Sequence, residues 1–214
     1  PTDLSVGSHR VAEKKMEMNR DRLEKQLQFI IEIDKLKHIL RQNSLMDSSR
    51  QENDAEHSWH LAVMAILLSE YAKDKGIDIF RVVKMVLIHD LVEIDAGDTY
   101  CYDDVSVQDQ KERETKAAER IFNLLPADGA KEIRSLWDEF EARSTPESRY
   151  AAALDRLQPF LLNYHTNGRS WQEHGVKSSQ VITRCQPIED GAPALWGYVA
   201  VLIEDAVRNG FLTE

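Results

Sequence analysis

Apolar residues recur at helical spacing along most of the chain, and no segment alternates convincingly with period two. From about 11 to 41, Leu23, Leu27, Ile30, Ile31, Leu36, Ile39 and Leu40 trace one helix, preceded by a loose leader over 1–10. The stretch 42–55, QNSLMDSSRQENDA, is rich in Ser, Asn and Asp and reads as a loop. A helix over about 55–74 stops at Gly76, just after Lys73 and Lys75. Asp78 is placed to cap the next helix, about 79–93. A polar, glycine-containing loop, IDAGDTYCYDDVSVQD, follows it. Further helices are predicted at 108–124, 128–142, 146–165, 177–186 and 191–209, with Pro126, Pro146, Pro187 and Pro193 at or near the breaks. The pattern predicts an all-α chain.

Composition narrows this picture. The 214 residues show no break in composition, which favours a single domain over 11–214. The net charge of -10 argues against a nucleic-acid partner. The densest basic run, Lys14 to Lys25, is interleaved with Glu13, Glu17, Asp21 and Glu24 and reads as a solvated helix face. The two cysteines, Cys101 and Cys185, form no CxxC or zinc-knuckle spacing. PTDLSVGSHR lacks an apolar signal core, and no apolar stretch is long enough for a bilayer. The expectation is a cytoplasmic protein with no membrane partner.

The chemistry lies where polar groups interrupt apolar stripes. In the 55–74 helix, His57 shares the stripe of Leu61, Met64 and Leu68 and should point inward, with His60 on its flank. His89 and Asp90 straddle the continuation of the Ile79, Val82, Val83 and Val86 face, and Glu93 stays on that side if the helix persists. Asp155 sits in AAALDRLQPFLL, where little polar surface is available to it. A buried, unpaired carboxylate would cost several kcal/mol. An inward histidine is commonly a satisfied core residue, and a helical Asp is commonly a cap or surface pair. What favours a metal is coincidence: His57, His89, Asp90 and Asp155 flank apolar faces of three separate helices. Two imidazoles and two carboxylates suit one divalent transition ion (Mn, Fe, Co, Ni or Zn) better than calcium.

At this point the chain resembles the HD-domain metal-dependent phosphohydrolase superfamily, whose signature is a distant His, a His-Asp pair and a later Asp. The matching positions are His57 in ENDAEHSWHLA, His89-Asp90 in LIHDLVEIDAGD and Asp155 in ALDRLQP. HDLVEIDAGD is similar to the HDxxExxxGD of the 5′-deoxynucleotidase-like branch. The resemblance runs from about Leu36 to His165. It implies a single helical bundle with the metal in a cleft between helices. It also implies a phosphohydrolase acting on a small phosphomonoester, a (deoxy)nucleoside 5′-monophosphate above all. Arg41 matches the arginine that holds the phosphate in that branch, but Gln42 stands where a Trp is expected beside it. By the same resemblance, Glu93 orients or deprotonates the attacking water, Asp98 borders the substrate, and Thr99 lines its sugar side.

Other residues leave alternatives open. His57-x-x-His60 could recruit a second metal, and Trp59 reads as a packing residue. His165, Trp171 and His174 lie in YHTNGRSWQEHG, which reads as a loop closing the cleft or as a base-contacting lid. A phosphodiesterase or nucleotide pyrophosphate hydrolase on the same scaffold, and a non-catalytic metal- or nucleotide-binding module, remain as competing functions. Broad apolar faces near both ends, with the resemblance, favour a homodimer.

Overall fold

The computed structural model describes residues 4–98 and 109–214, with side chains from residue 17 onward. Helix α1 spans Leu4–Ile33 and passes into a 3₁₀ turn, Asp34–His38. Strands β1 (Leu40–Ser44) and β2 (Gln51–Asn53) pair antiparallel, Leu40 opposite Asn53 and Ser44 opposite Gln51. Then come α2 (Asp54–Leu67), a 3₁₀ turn at Ser69–Tyr71, and α3 (Ile79–Ile88). A 3₁₀ turn, His89–Val92, leads into the short α4 (Glu93–Ala96). The remaining helices are α5 (Gln110–Phe122), α6 (Ala127–Ala142), α7 (Pro146–His165), α8 (Arg169–Glu173), α9 (Ser178–Cys185), α10 (Ile188–Gly191) and α11 (Pro193–Arg208).

Helix α7 is the hub. Pro146 sits in its first turn, where a missing N–H costs nothing, and Thr145 accepts from the Ser148 amide at 3.1 Å. Tyr150, Ala151, Ala153 and Leu154 are fully buried, each large side chain stabilising by about 1.5–3 kcal/mol. It packs against α2, α3, α6, α10 and β1. The contact with α10 is close: a Cβ on Gly191 would lie 2.2 Å from the Arg149 carbonyl oxygen. One apolar cluster runs from Phe29 to Leu212. No helix among the described residues is long and apolar enough to cross a membrane.

Several expected elements differ. Helix α1 starts at Leu4, inside the stretch expected to be a loose leader, and ends at Ile33 rather than near 41. Residues 40–53 form a hairpin where a helix end and a loop were expected. Its turn is closed by Leu45 N donating to Arg50 O at 2.9 Å, with Ser48 at φ 59° and Asp47 accepting from the Ser49 amide. Such short strands, without alternation, leave no periodic trace. The α3 helix does not persist to 93, because it tightens into the 3₁₀ turn at His89. Trp59, expected to pack, is exposed and stacks beside His60. Within 165–174, His165 ends α7, Arg169–Glu173 forms α8, and Trp171 packs against Phe160 in the core.

Candidate metal centre

The start of α2, the 3₁₀ turn after α3 and the middle of α7 meet at one point. Asn53 caps α2 in a reciprocal box with Glu56, so the first turn carries Asp54 and His57 inward. His57 is fully buried; His89, Asp90, Glu93 and Asp155 are buried. Single ligand atoms of His57, His89 and Asp90 lie within 4.8 Å of one another. Asp155 joins them, its Oδ1 3.2 Å from His57 Nε2 and 3.6 Å from His89 Nε2.

Both imidazoles are turned the same way. His89 Nδ1 donates to the Val86 carbonyl at 2.9 Å, and its buried Nε2 faces Asp90 Oδ1 at 3.0 Å and Asp155 Oδ1 at 3.6 Å. His57 Nδ1 lies 2.9 Å from Gln158 Oε1, and its Nε2 faces Asp155 and, at 3.8 Å, Asp90. Two Nε2 atoms and two carboxylates around one point form an N/O donor set suited to a divalent transition ion. The residues therefore fit the metal that the sequence implies.

Beside them lies an excess of buried acid. Asp54, Asp90 and Glu93 also place one oxygen each within 4.8 Å of one another. Arg41, on β1, answers them: its Nη1 donates to Asp54 at 3.1 Å and to Asp90 at 3.0 Å. Burial raises the Glu93 carboxyl, and the Asp90 and Asp54 charges raise it further. Burial and Asp90 push Asp54 up to about 7. Burial opposes charge on His89, but Asp90 and Asp155 outweigh it and bring the imidazole up to about 9. Burial also opposes charge on Asp155, yet Arg156, His57 and His89 hold it well below the usual carboxylate range. These shifts describe a site short of positive charge on the acid side.

Arg41, His89, Asp90, Glu93, Asp98 and Asp155 all line one cavity of about 630 Å³, within the size range of small-ligand sites. Gly97, at φ 74°, turns the chain after α4 and delivers Asp98 there. Burial raises Asp98, against the pull of Arg41, and the Gln42 backbone N–H donates to it. Thr99 lies outside the described residues. His60 belongs to neither metal-capable group among the described residues; its Nδ1 lies 3.3 Å from Gln158 Nε2. His165, Trp171 and His174 are not among the described residues that line the cavity.

Three buried polar residues at the centre went unforeseen: Glu52, Asp54 and Gln158. Each had a signal. Glu52 and Asp54 crowd acid just before His57, and Gln158 follows Asp155 by one helical turn inside an apolar run.

A family model described as HD domain matches residues 33–196, and the chain belongs to that family. The 5′-deoxynucleotidase HDDC2 of Homo sapiens is 32% identical over 136 residues, covering 63% of this chain and 65% of that protein. The match thus spans just under two thirds of that relative's length. A solved structure described as a predicted metal-dependent phosphohydrolase from Magnetospirillum magnetotacticum MS-1 is 54% identical, with a TM-score of 0.87, covering 91% of this chain and 97% of that one. A conserved hypothetical protein from Pyrococcus furiosus is 25% identical with a TM-score of 0.58, covering 85% and 99%.

Proposed function

We propose that this chain is a metal-dependent phosphomonoesterase that releases phosphate from a (deoxy)nucleoside 5′-monophosphate. The observation that carries this is the meeting of His57, His89, Asp90 and Asp155 beside Arg41, with all of these but the fully buried His57 lining one cavity. The HD domain membership and the names of the human and Magnetospirillum relatives support the same reading.

His57, His89, Asp90 and Asp155 would hold the ion. When bound, it supplies Lewis acidity, lowering the pKa of a ligated water and polarising a phosphoryl oxygen. Arg41, which lines the cavity with Nη1 on Asp54 and Asp90, would grip the phosphate with its guanidinium. Glu93, kept basic by burial and neighbouring acids, accepts the proton of the attacking water. Asp98 and Thr99 border the sugar. The described core is one cluster, which supports a single domain over 11–214. A cytoplasmic homodimer completes the reading; exposed Leu23, Ile30, Ile31, Tyr198 and Val201 support the pairing.

A second reading rests on a specific feature. Arg134, Arg143, Arg156 and Arg184 line the same cavity, which would suit a nucleotide carrying a further phosphate group. One experiment separates the two. Stripped protein is given Mn²⁺, Co²⁺, Mg²⁺ or Zn²⁺ separately, and phosphate release is measured from mono-, di-, tri- and cyclic nucleotides. Release from 5′-monophosphates alone supports the first reading. Turnover confined to polyphosphates replaces it with the second, turnover confined to cyclic nucleotides overturns both in favour of a phosphodiesterase, and none with any ion leaves a binding module.

A further inference from the structure

The metal histidine His57 is held from behind by a buried pair that the proposed chemistry does not use. Gln158 is fully buried and Glu52 is 2% exposed. Gln158 Nε2 donates to Glu52 Oε1 at 2.6 Å, while its Oε1 lies 2.9 Å from His57 Nδ1. The remaining amide hydrogen points to His60 Nδ1 at 3.3 Å. Gln158 sits one turn beyond Asp155 on α7, so one helix presents both a metal carboxylate and this amide.

A side-chain amide can be turned either way, and here its neighbours decide. With Glu52 ionised, an oxygen facing it at this distance would oppose two acceptors, so the NH₂ faces Glu52. The carbonyl then faces His57 and accepts only from an Nδ1–H. A neutral imidazole carries one proton, so His57 Nε2 is left with its lone pair directed at Asp90 and Asp155. Packing alone does not explain an acid at Glu52, because an apolar side chain would fill the space without desolvating a carboxylate.

We propose that Glu52 and Gln158 are positioning residues: Glu52 orients the Gln158 carboxamide, and Gln158 locks His57 in the tautomer that offers Nε2 to the metal. Without this lock, the proton can move to Nε2, where Asp155 Oδ1 waits at 3.2 Å as acceptor. The ion must then displace that proton before it can bind. Glu52 also stands 3.9 Å from Arg41 Nε, so the same carboxylate backs both the metal histidine and the phosphate arginine. The inference rests on the metal reading of the site, not on which phosphoester is cleaved.

The test compares Gln158→Leu, Glu52→Leu and the conservative Glu52→Gln, which can still accept from the Gln158 amide. The first readout is the Kd for Mn²⁺ or Zn²⁺ by competition with a chromophoric chelator. The second is the His57 tautomer in the metal-free protein, read from two-bond ¹H–¹⁵N correlations, which needs neither ion nor turnover. Both Leu variants are expected to weaken metal binding roughly 10- to 100-fold and to move the His57 proton toward Nε2. Glu52→Gln is expected to keep wild-type affinity and tautomer. Unchanged Kd and an Nδ1–H signal in both Leu variants would overturn the proposal. So would a loss in Glu52→Gln as large as in Glu52→Leu. If Gln158→Leu does not fold, the two Glu52 variants decide alone. Wild-type protein with this tautomer but no phosphatase activity would fail the proposed function and leave this inference standing.

Discussion

His57 Nε2 lies 3.2 Å from Asp155 Oδ1, although 98 positions separate the two residues in the chain. The contact forms because α2 and α7 pack directly, and each brings an inward polar group to the same level of the core. Held this close, the Nε2 lone pair and the carboxylate oxygen are two donors that one cation between them would join as ligands.

Asp155→Asn keeps the shape of that ligand and removes its charge. It is expected to abolish metal retention and turnover while the helical fold persists. Metal content after desalting, with far-UV circular dichroism as the control, checks this. Full metal occupancy in the variant would remove Asp155 from the ligand set.

The metal-free protein should lose stability as pH rises. Asp54 and Glu52 each titrate near 7 when folded, against ordinary carboxylate values of about 4 when unfolded. A raised carboxyl binds more protons folded than unfolded, so its contribution fades as pH climbs from about 4 to 7. His89, brought up to about 9 from an unfolded value near 6.5, adds a loss across that higher window. Asp155, held low, acts oppositely, but only below its unfolded value. Thermal melts of stripped protein from pH 5 to 9 should therefore show a falling Tm, flattened by added divalent ion. A Tm rising over that range would contradict the sign.

Arg41→Ala should weaken substrate capture more than metal binding. Losing a charge-assisted contact costs about 1.5–3 kcal/mol, or roughly 10- to 150-fold, and it should appear in KM. Steady-state kinetics on the preferred nucleotide, with metal Kd alongside, separate the effects. A wild-type KM would take Arg41 out of the phosphate site.

Asp54→Asn removes one of the like charges that raise Glu93. If Glu93 is the base, the acid limb of the kcat/KM profile should move to lower pH. A pH–rate profile that keeps its acid limb would sever Asp54 from Glu93, or Glu93 from the proton transfer.

Much of this molecule was legible in its residues. The apolar spacing of Leu61, Val82 and Leu154 placed α2, α3 and α7, and polar groups breaking those stripes marked His57, His89, Asp90 and Asp155. The cap at Asp78 was also readable, since its side chain accepts from the Arg81 amide at 3.1 Å. The hairpin was not, because residues of QNSLMDSSRQENDA have turn chemistry and no period. That omission placed Arg41 at a helix end and left Glu52 and Asp54 in a loop, whereas β1, β2 and the α2 start bring all three to the metal centre.

The sequence by itself determined which faces go inward, because hydrophobic burial depends on periodicity that is written locally. It thereby set the all-α class and the set of polar side chains that would have to share the core. Only the tertiary structure decided how those side chains meet. The tautomer of His57, the sharing of Arg41 between Asp54 and Asp90, and the raised Glu93 all depend on distances between separate elements. Electrostatic and hydrogen-bond energies change steeply over an ångström, and no spacing along a chain encodes such distances.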